Sequence, residues 1–599
     1  MTEADYDALR QRYAQERDKR LRPDGNDQYI ELKGKFARLL EDPYTPRADR
    51  PAKHDHVAVT FIGGGFAGLV TCARLKASGI DSVRIVEKGG GFGGTWYWNR
   101  YPGAQCDTAS MIYLPLLEET GHMPSERYAH APEILRHCNR IADHFGLHDD
   151  ALLHTEVTSA EWDAAHSRWI VRTNRGDEFT SEFVGIGTGP LHVAKLPGID
   201  GIETFSGHSF HSSRWDYAYT GGHPDGASMD RLADKRVAII GTGATAVQCI
   251  PRLARSCREL LVFQRTPSSV DVRANQPIDP GWFAGIATPG WQDRWLDNFV
   301  ANMSAAEAPS EDLVNDGWTD LVKRIRGRLA APRSASAGFS DLLAEFENAD
   351  FDKMSEIRDR VDTIVEDKDT AAKLKAWYRQ LCKRPCFHDE YLAAFNLPSV
   401  RLIDTDGKGV ERISDRGVVA AGAEYPVDCI IYASGFEVGT APTRRYGFDL
   451  TGKGGIRLSE FWSAGMRTLH GIHVRGFPNV FLVQLGHGGN FIANVPHNLT
   501  DAAKTIAAIV THMRDRGFDQ VDVSRQAEDA WMEQLAPNPV MSSFLAACTP
   551  GYYNNEGQGP SPHSLLVGYA HGAPAYFRYI DQWRSSGDFT GLEFSNTAG

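Results

Sequence analysis

The chain has 599 residues, a formal net charge of −13, 42% hydrophobic residues and 24% charged residues. That length exceeds what one hydrophobic core supports, so two or more globular domains are expected. An acidic balance without a basic block argues against a nucleic-acid surface, and no run reaches the roughly 18 apolar residues of a membrane span.

The first residues, "MTEADYDALRQRYAQERDKR", are polar and acidic and lack the apolar core of a secretory leader. Residues 1–50 read as a charged helical extension that ends at "DPYTPRADRP", where prolines mark a linker. A surface-packed arm is expected there, with an oligomer contact as the alternative. From residue 57, "VAVTFIGGGFAGLVTCARLKASGIDSVRIVEK" spells apolar strand, glycine turn, helix and second apolar strand. The same grammar returns at 236 as "RVAIIGTGATAVQCIPRLARSCRELLVFQR". An internal repeat of this kind predicts an α/β chain with two Rossmann-like dinucleotide-binding domains. A helical insertion is expected at about 285–380, where "WLDNFVANMSAAEAPSEDLVNDGWTDLVKRIRGRLA" lies, and strand patterns resume with "PVDCIIYASGF" and "FPNVFLV". The tail from 500 onward starts helical and is expected to return to the first domain. The resulting division is 1–50 extension, 51–198 first part of the first dinucleotide-binding domain, 199–436 second dinucleotide-binding domain and 437–599 second part of the first.

Nine cysteines, at 72, 106, 138, 249, 257, 382, 386, 429 and 548, stand singly with no CxxC pair. Reduced thiols in a cytoplasmic protein are expected from that spacing, rather than disulfides or a metal site.

The two glycine turns carry the cofactor reading. Gly63, Gly65 and Gly68 form GxGxxG between strand and helix, which lets backbone N–H groups at a helix N-terminus face a pyrophosphate. Glu87 ends the next strand, where a carboxylate accepts a ribose diol. That pattern predicts FAD. In the second turn, Gly241-Thr242-Gly243-Ala244-Thr245-Ala246, the matching position is Arg265, flanked by Gln264 and Thr266. An arginine there attracts a 2′-phosphate through charge-assisted hydrogen bonds of about 1.5–3 kcal/mol each. That pattern predicts NADPH. No redox dithiol lies beside the flavin turn, so O2 is the expected oxidant.

Four segments then resemble the type I Baeyer–Villiger monooxygenases over roughly residues 55–490. Phe205-x-Gly207-x-x-x-His211-x-x-x-Trp215-Asp216 is similar to that family's fingerprint, and its Trp-Asp ending separates it from related nitrogen and sulfur oxygenases. "GGTWYWNRYPGAQCD" (93–107), "QRTP" (264–267) and "KRP" (383–385) agree with it. The resemblance implies NADPH- and O2-dependent insertion of oxygen beside a ketone carbonyl through a flavin C4a-peroxide, with a heteroatom monooxygenase as the alternative. It further implies that Arg384 is the catalytic cation and Asp107 the carboxylate that positions and tunes it. Arginine suits that task because it stays charged at any working pH. By the same resemblance, Lys383 is expected to join Arg265 on the 2′-phosphate. Thr95, Trp96, Trp98 and Tyr113 are expected at the flavin, Gln105 and Cys106 on the nicotinamide side, and Val157 completes the cofactor-binding set. His211 is expected to couple the domains rather than to transfer a proton. Two departures stand out. "QLGHGGNFIANVPHN" replaces a GPGSP-like segment, and "TPGYYNNEGQ" sets Tyr552 where the family usually offers a tryptophan to the nicotinamide cofactor. With the N-terminal extension, these departures resemble the branch that acts on large-ring, polycyclic or steroid-like ketones.

Overall fold

In the computed structural model, residues 2–304, 309–330, 339–484, 486–489, 494–535, 539–559, 561 and 567–596 are described. Leu485 and residues 490–493 of the "QLGHGGNFIANVPHN" departure, and parts of the expected insertion and tail, lie outside them.

The first repeat builds a seven-stranded sheet. His56–Ile62 pairs in parallel with Val83–Val86 on one side and with Glu178–Ile186 on the other. Arg168–Thr173 and Val157–Asp163 continue it as antiparallel neighbours, and Leu450–Thr451 and Val480–Leu482 join from the far end of the chain. The inner ends of the central strands, Val59–Ile62, Val83–Val86 and Phe183–Ile186, are buried. Helix Phe66–Ala77 on one face packs against the long helix Val495–Arg516, so the C-terminal region closes the core of the first domain.

The second repeat builds a five-stranded, wholly parallel sheet in the order Val400–Asp404, Glu259–Gln264, Arg236–Ile240, Cys429–Tyr432, His208–His211. Helices Trp291–Asn302, Gly317–Ala330, Phe339–Ile364 and Lys368–Leu374 fill the expected insertion.

The extension is folded onto the rest of the chain. Thr2 and Asp5 form a reciprocal cap on helix Glu3–Asp18. Tyr6 and Tyr13 of that helix lie 5.9 and 5.2 Å from Phe351 of the insertion. Further on, Tyr29–Ile30 pairs with Leu196–Pro197, just before the second domain.

The expectation of unpaired thiols fails at one pair. Cys382 and Cys548 form a disulfide across 166 residues of sequence. Single cysteines far apart in sequence show no framework spacing, and only the folded path brings these two together. The remaining seven are free and buried.

Candidate active site

Both glycine turns open helices whose first N–H groups receive no side-chain cap. Helix Phe66–Ala77 starts at Gly65 and helix Ala244–Ala254 at Gly243. A free helix N-terminus is an anion site. Gly63 (φ +110°) and Gly241 (φ +114°) are obligatory, because a Cβ would lie 2.6 Å from the Gly187 carbonyl oxygen and 2.4 Å from that of Ala433. At Gly68 the clash would be with the Gly63 carbonyl. A Cβ at Gly243 would meet nothing within 4 Å, so this turn is open to a ligand. Glu87 is buried and accepts the N–H groups of Gly64 (2.6 Å) and Gly89 (2.7 Å). Burial raises its pKa, and the two backbone donors oppose the shift. These features fit FAD on the first turn and a second dinucleotide on the second.

Trp96 and Trp98 are buried and Tyr113 is half-buried. Trp96 Nε1 donates to the Tyr113 hydroxyl at 3.0 Å, and Thr95 opens the short helix that carries Trp96. Trp98 is 2% exposed and lies under the Arg214 guanidinium, 3.9 Å from its ring centroid. The structure thus ties Trp98 to the fingerprint segment of the second domain. Val157 is a core residue at the start of its strand. Gln264 is fully buried and donates to the Lys373 carbonyl (2.8 Å) and to Asp404 (3.2 Å). Neither is brought to the charged clusters described next.

Around the second turn the structure sets a basic cluster that contains an unforeseen acid. Arg265 donates to Gln28 Oε1 at 2.6 Å, and Arg20 donates to the Arg265 carbonyl and the Thr266 hydroxyl. Thr242 donates to the Thr266 carbonyl at 2.7 Å. The carboxylate of Glu556, 4% exposed, lies 3.3 Å from Lys195 Nζ and 3.8 Å from Arg265. Burial pushes its pKa up, but Lys195, Arg265 and Lys383 together bring it below the ordinary value. Lys383 Nζ donates to the Pro550 carbonyl at 2.8 Å, and its pKa is pushed down to about 8 by burial first, then by neighbouring cations. Tyr552, 36% exposed, stacks edge-on against Tyr553 at the head of the same C-terminal loop. Lys195, Glu556 and the extension residues Arg20 and Gln28 were not foreseen, and no local pattern marks them.

The Asp107 cluster lies where the two domains meet. Gly103 (φ +80°) lets "YPGAQCD" settle on helix Ala244–Ala254, since a Cβ would lie 2.5 Å from the Gln248 carbonyl oxygen. Gln248 in turn donates to the Gln105 carbonyl (2.7 Å), and Gln105 donates to the Tyr128 carbonyl (2.7 Å). Cys106 is buried, with its thiol pushed up to about 12, which makes it inert. Asp107 is 2% exposed. Its Oδ2 accepts Arg384 Nη1 at 2.6 Å, while its Oδ1 accepts Nη2 of a second arginine, Arg273. Burial works to raise the Asp107 pKa, but Arg273 and then Arg384 outweigh it and hold the carboxyl below its usual range. The strand Val270–Asp271 pairs with Cys386–Phe387, so the two arginines leave opposite ends of one short ladder. Arg384 keeps 34% of its side chain exposed, whereas Arg273 keeps 3%. Arg273 was missed because the sequence carries no charge pattern around it.

The fingerprint is architectural. His211 is fully buried at the sheet edge, with Nδ1 2.8 Å from the Ser213 hydroxyl and its ring 5.7 Å from Phe436. Burial drives its pKa down to about 3, so it is neutral at working pH. Asp216 caps the turn Tyr217–Thr220 and accepts His208 Nε2 at 2.9 Å. The strand ends beside two interdomain connections that run side by side. Ala194 bridges Phe436, and Ser434 donates to the Lys195 carbonyl at 2.6 Å.

Two dinucleotide sites and a buried arginine–carboxylate cluster between them define a flavin- and nicotinamide-dependent oxidoreductase. Residues 62–124 match the NAD(P)-binding Rossmann-like domain. The chain is 49% identical, over 98% of its length, to neopentalenolactone D synthase of Streptomyces avermitilis, covering 99% of that protein. It is 48% identical over 96% of its length to a Baeyer–Villiger monooxygenase of Streptomyces coelicolor, covering 95% of it. The solved polycyclic ketone monooxygenase of Thermothelomyces thermophila superposes with a TM-score of 0.91 at 36% identity, covering 99% of both chains. The chain belongs to the Baeyer–Villiger monooxygenases. Its cofactors are FAD and NADPH, in keeping with solved relatives that hold FAD and NADP. No helix among the described residues is long and apolar enough to cross a membrane.

Proposed function

We propose that Arg384 is the fixed cation of the oxygen-insertion site, that Asp107 aims it, and that the substrate is a polycyclic ketone. When bound, FAD accepts hydride from NADPH and activates O2, so that one oxygen atom enters beside the carbonyl. The observation that carries the reading is the pairing of a part-exposed Arg384 with a buried Asp107 at 2.6 Å, at the junction of the two domains. Negative charge builds on the carbonyl oxygen as its carbon becomes four-coordinate. A preoriented guanidinium stabilises that charge without reorganisation during the reaction. Asp107 opposes the burial cost of Arg384 and holds its pKa above the ordinary value.

The remaining residues hold the cofactors. Gly63, Gly65, Gly68 and Glu87 fit the FAD diphosphate and ribose, and Trp96 and Tyr113 form a linked aromatic wall near them. Gly241, Gly243 and the free end of helix Ala244–Ala254 fit the NADPH diphosphate, and Arg265 with Lys383 fits its 2′-phosphate. On this reading 51–198 and 437–599 make the FAD domain, and 199–436 makes the NADPH domain. The polycyclic ketone is supported by the name of the structurally similar fungal enzyme.

Product analysis by mass spectrometry, on a panel of cyclic, polycyclic and steroid ketones with NADPH, tests the reading. Arg384→Ala is expected to keep bound, reducible FAD while ester formation falls by about 10²–10³, the range for loss of one charge-stabilising donor. Normal ester yield in that variant overturns it.

A further inference from the structure

We infer that Arg273 is a positioning residue that keeps the Arg384 site cationic by taking half of the charge of Asp107. The inference rests on the Arg384 reading above. Asp107 presents one oxygen to each arginine, through Oδ2 to Arg384 at 2.6 Å and through Oδ1 to Arg273. A carboxylate paired with Arg384 alone would leave a neutral couple, and a neutral couple stabilises developing negative charge poorly. With Arg273 on the second oxygen, the triad of one carboxylate and two guanidinium groups carries net positive charge. The excess appears where the cluster opens, because Arg384 is 34% exposed and Arg273 only 3%.

Arg273 is built to stay in place. Its Nη1 donates to Gln105 Oε1, and the Gln105 amide is anchored on the Tyr128 carbonyl. Its backbone N–H donates to Asp389 at 3.0 Å. From the far side, Trp318 Nε1 of the helical insertion donates to the Asp107 carbonyl at 2.8 Å. Arg273 therefore acts through Asp107 and Gln105, and it also joins the two halves of the molecule at the site.

The other groups that face Asp107 do not titrate near neutrality. Burial pushes the Tyr101 phenol well up, the Cys106 thiol to about 12 and the Cys386 thiol to about 11, while it lowers His388 to about 4. His388 and His130 are both held low by burial and in part by Arg273, so Arg273→Gln is compared with a double variant that has lost Arg273 as well and differs only at Asp107.

The test compares Arg273→Gln, Arg273→Lys, the double variant Asp107→Asn with Arg273→Gln, and Arg384→Met as the control for the underlying reading. Ester and hydrogen peroxide yields per NADPH are measured beside thermal midpoints from pH 5 to pH 8. Arg273→Gln is expected to lower ester per NADPH roughly 10-fold or more, by the logic of a lost preorganised charge. Arg273→Lys is expected to recover most of it. The double variant is expected to recover several-fold over Arg273→Gln, since Arg384 then faces no carboxylate. In Arg273→Gln the buried Asp107 loses its stronger partner and its pKa rises. Its stability deficit relative to the double variant is then expected to shrink as pH falls from 8 to 5.

If the double variant is no better coupled than Arg273→Gln and the deficit is independent of pH, Arg273 is only a structural residue and the inference fails. Wild-type coupling in Arg273→Gln sinks it as well. Normal ester formation by Arg384→Met instead removes the underlying reading, whatever Arg273 does. Should Arg273→Gln lose FAD, Arg273→Lys still decides, because near wild-type coupling there supports the charge count and collapse with FAD bound refutes it.

Discussion

Breaking the Cys382–Cys548 bond tests how the C-terminal loop is held against the arginine segment. Cys382 immediately precedes Lys383 and Arg384, and Cys548 immediately precedes the loop that carries Tyr552 and Glu556. Both are buried among Met354, Ile357, Ala376 and Tyr378. The bond closes a loop across 166 residues, for which chain entropy gives about 5 kcal/mol of stabilisation through the unfolded state. Spread over the unfolding entropy of a 599-residue chain, that corresponds to a fall of about 4 °C in the thermal midpoint. The Lys383–Pro550 hydrogen bond does not depend on the disulfide, so on reduction the loop is expected to loosen without detaching. The assay is calorimetry with and without reductant, for the wild type and for Cys382→Ser with Cys548→Ser. Peptide mapping under non-reducing conditions accompanies it. The wild type should fall to the level of the double serine variant on reduction, and the variant should not respond. Free thiols in the unreduced wild type, or an unchanged midpoint on reduction, would refute the reasoning.

Arg265→Ala is expected to raise KM for NADPH at least about 10-fold while leaving NADH nearly unchanged, the loss of one charge-assisted hydrogen bond; steady-state kinetics with both cofactors checks it. Lys383, with a pKa near 8 in the free protein, is charged below that value and neutral above it, facing Glu556, Arg265, Arg20 and Lys195. KM for NADPH should therefore rise as pH passes upward through about 8, and Lys383→Arg should flatten that profile while NADH kinetics show no such step.

Much of the architecture was legible because its signals are local. A glycine turn between an apolar strand and a helix needs only its own neighbours to be recognised, and it appeared twice. Gly63 and Gly241 show why those residues cannot vary, since each would drive a Cβ into a carbonyl of a neighbouring strand end. Arg265, Lys383, Arg384 and Asp107 lie within short motifs, and the structure pairs Arg384 with Asp107 and sets Arg265 and Lys383 about Glu556. The Gln264 side chain is spent on the Lys373 carbonyl and Asp404, and Val157 packs in the core.

The sequence alone thus determined the two dinucleotide folds, the cofactor pair and the family, because strand–turn–helix patterns and motif residues are encoded in contiguous chain. Only the tertiary structure decided that Arg273 shares Asp107 with Arg384, that Glu556 enters the pocket of Arg265 and Lys195, that the extension supplies Gln28 to Arg265, and that Cys382 is bonded to Cys548. Each of these joins segments far apart in sequence. Their meeting depends on the path of the whole chain through both domains, and no local periodicity or spacing records that path.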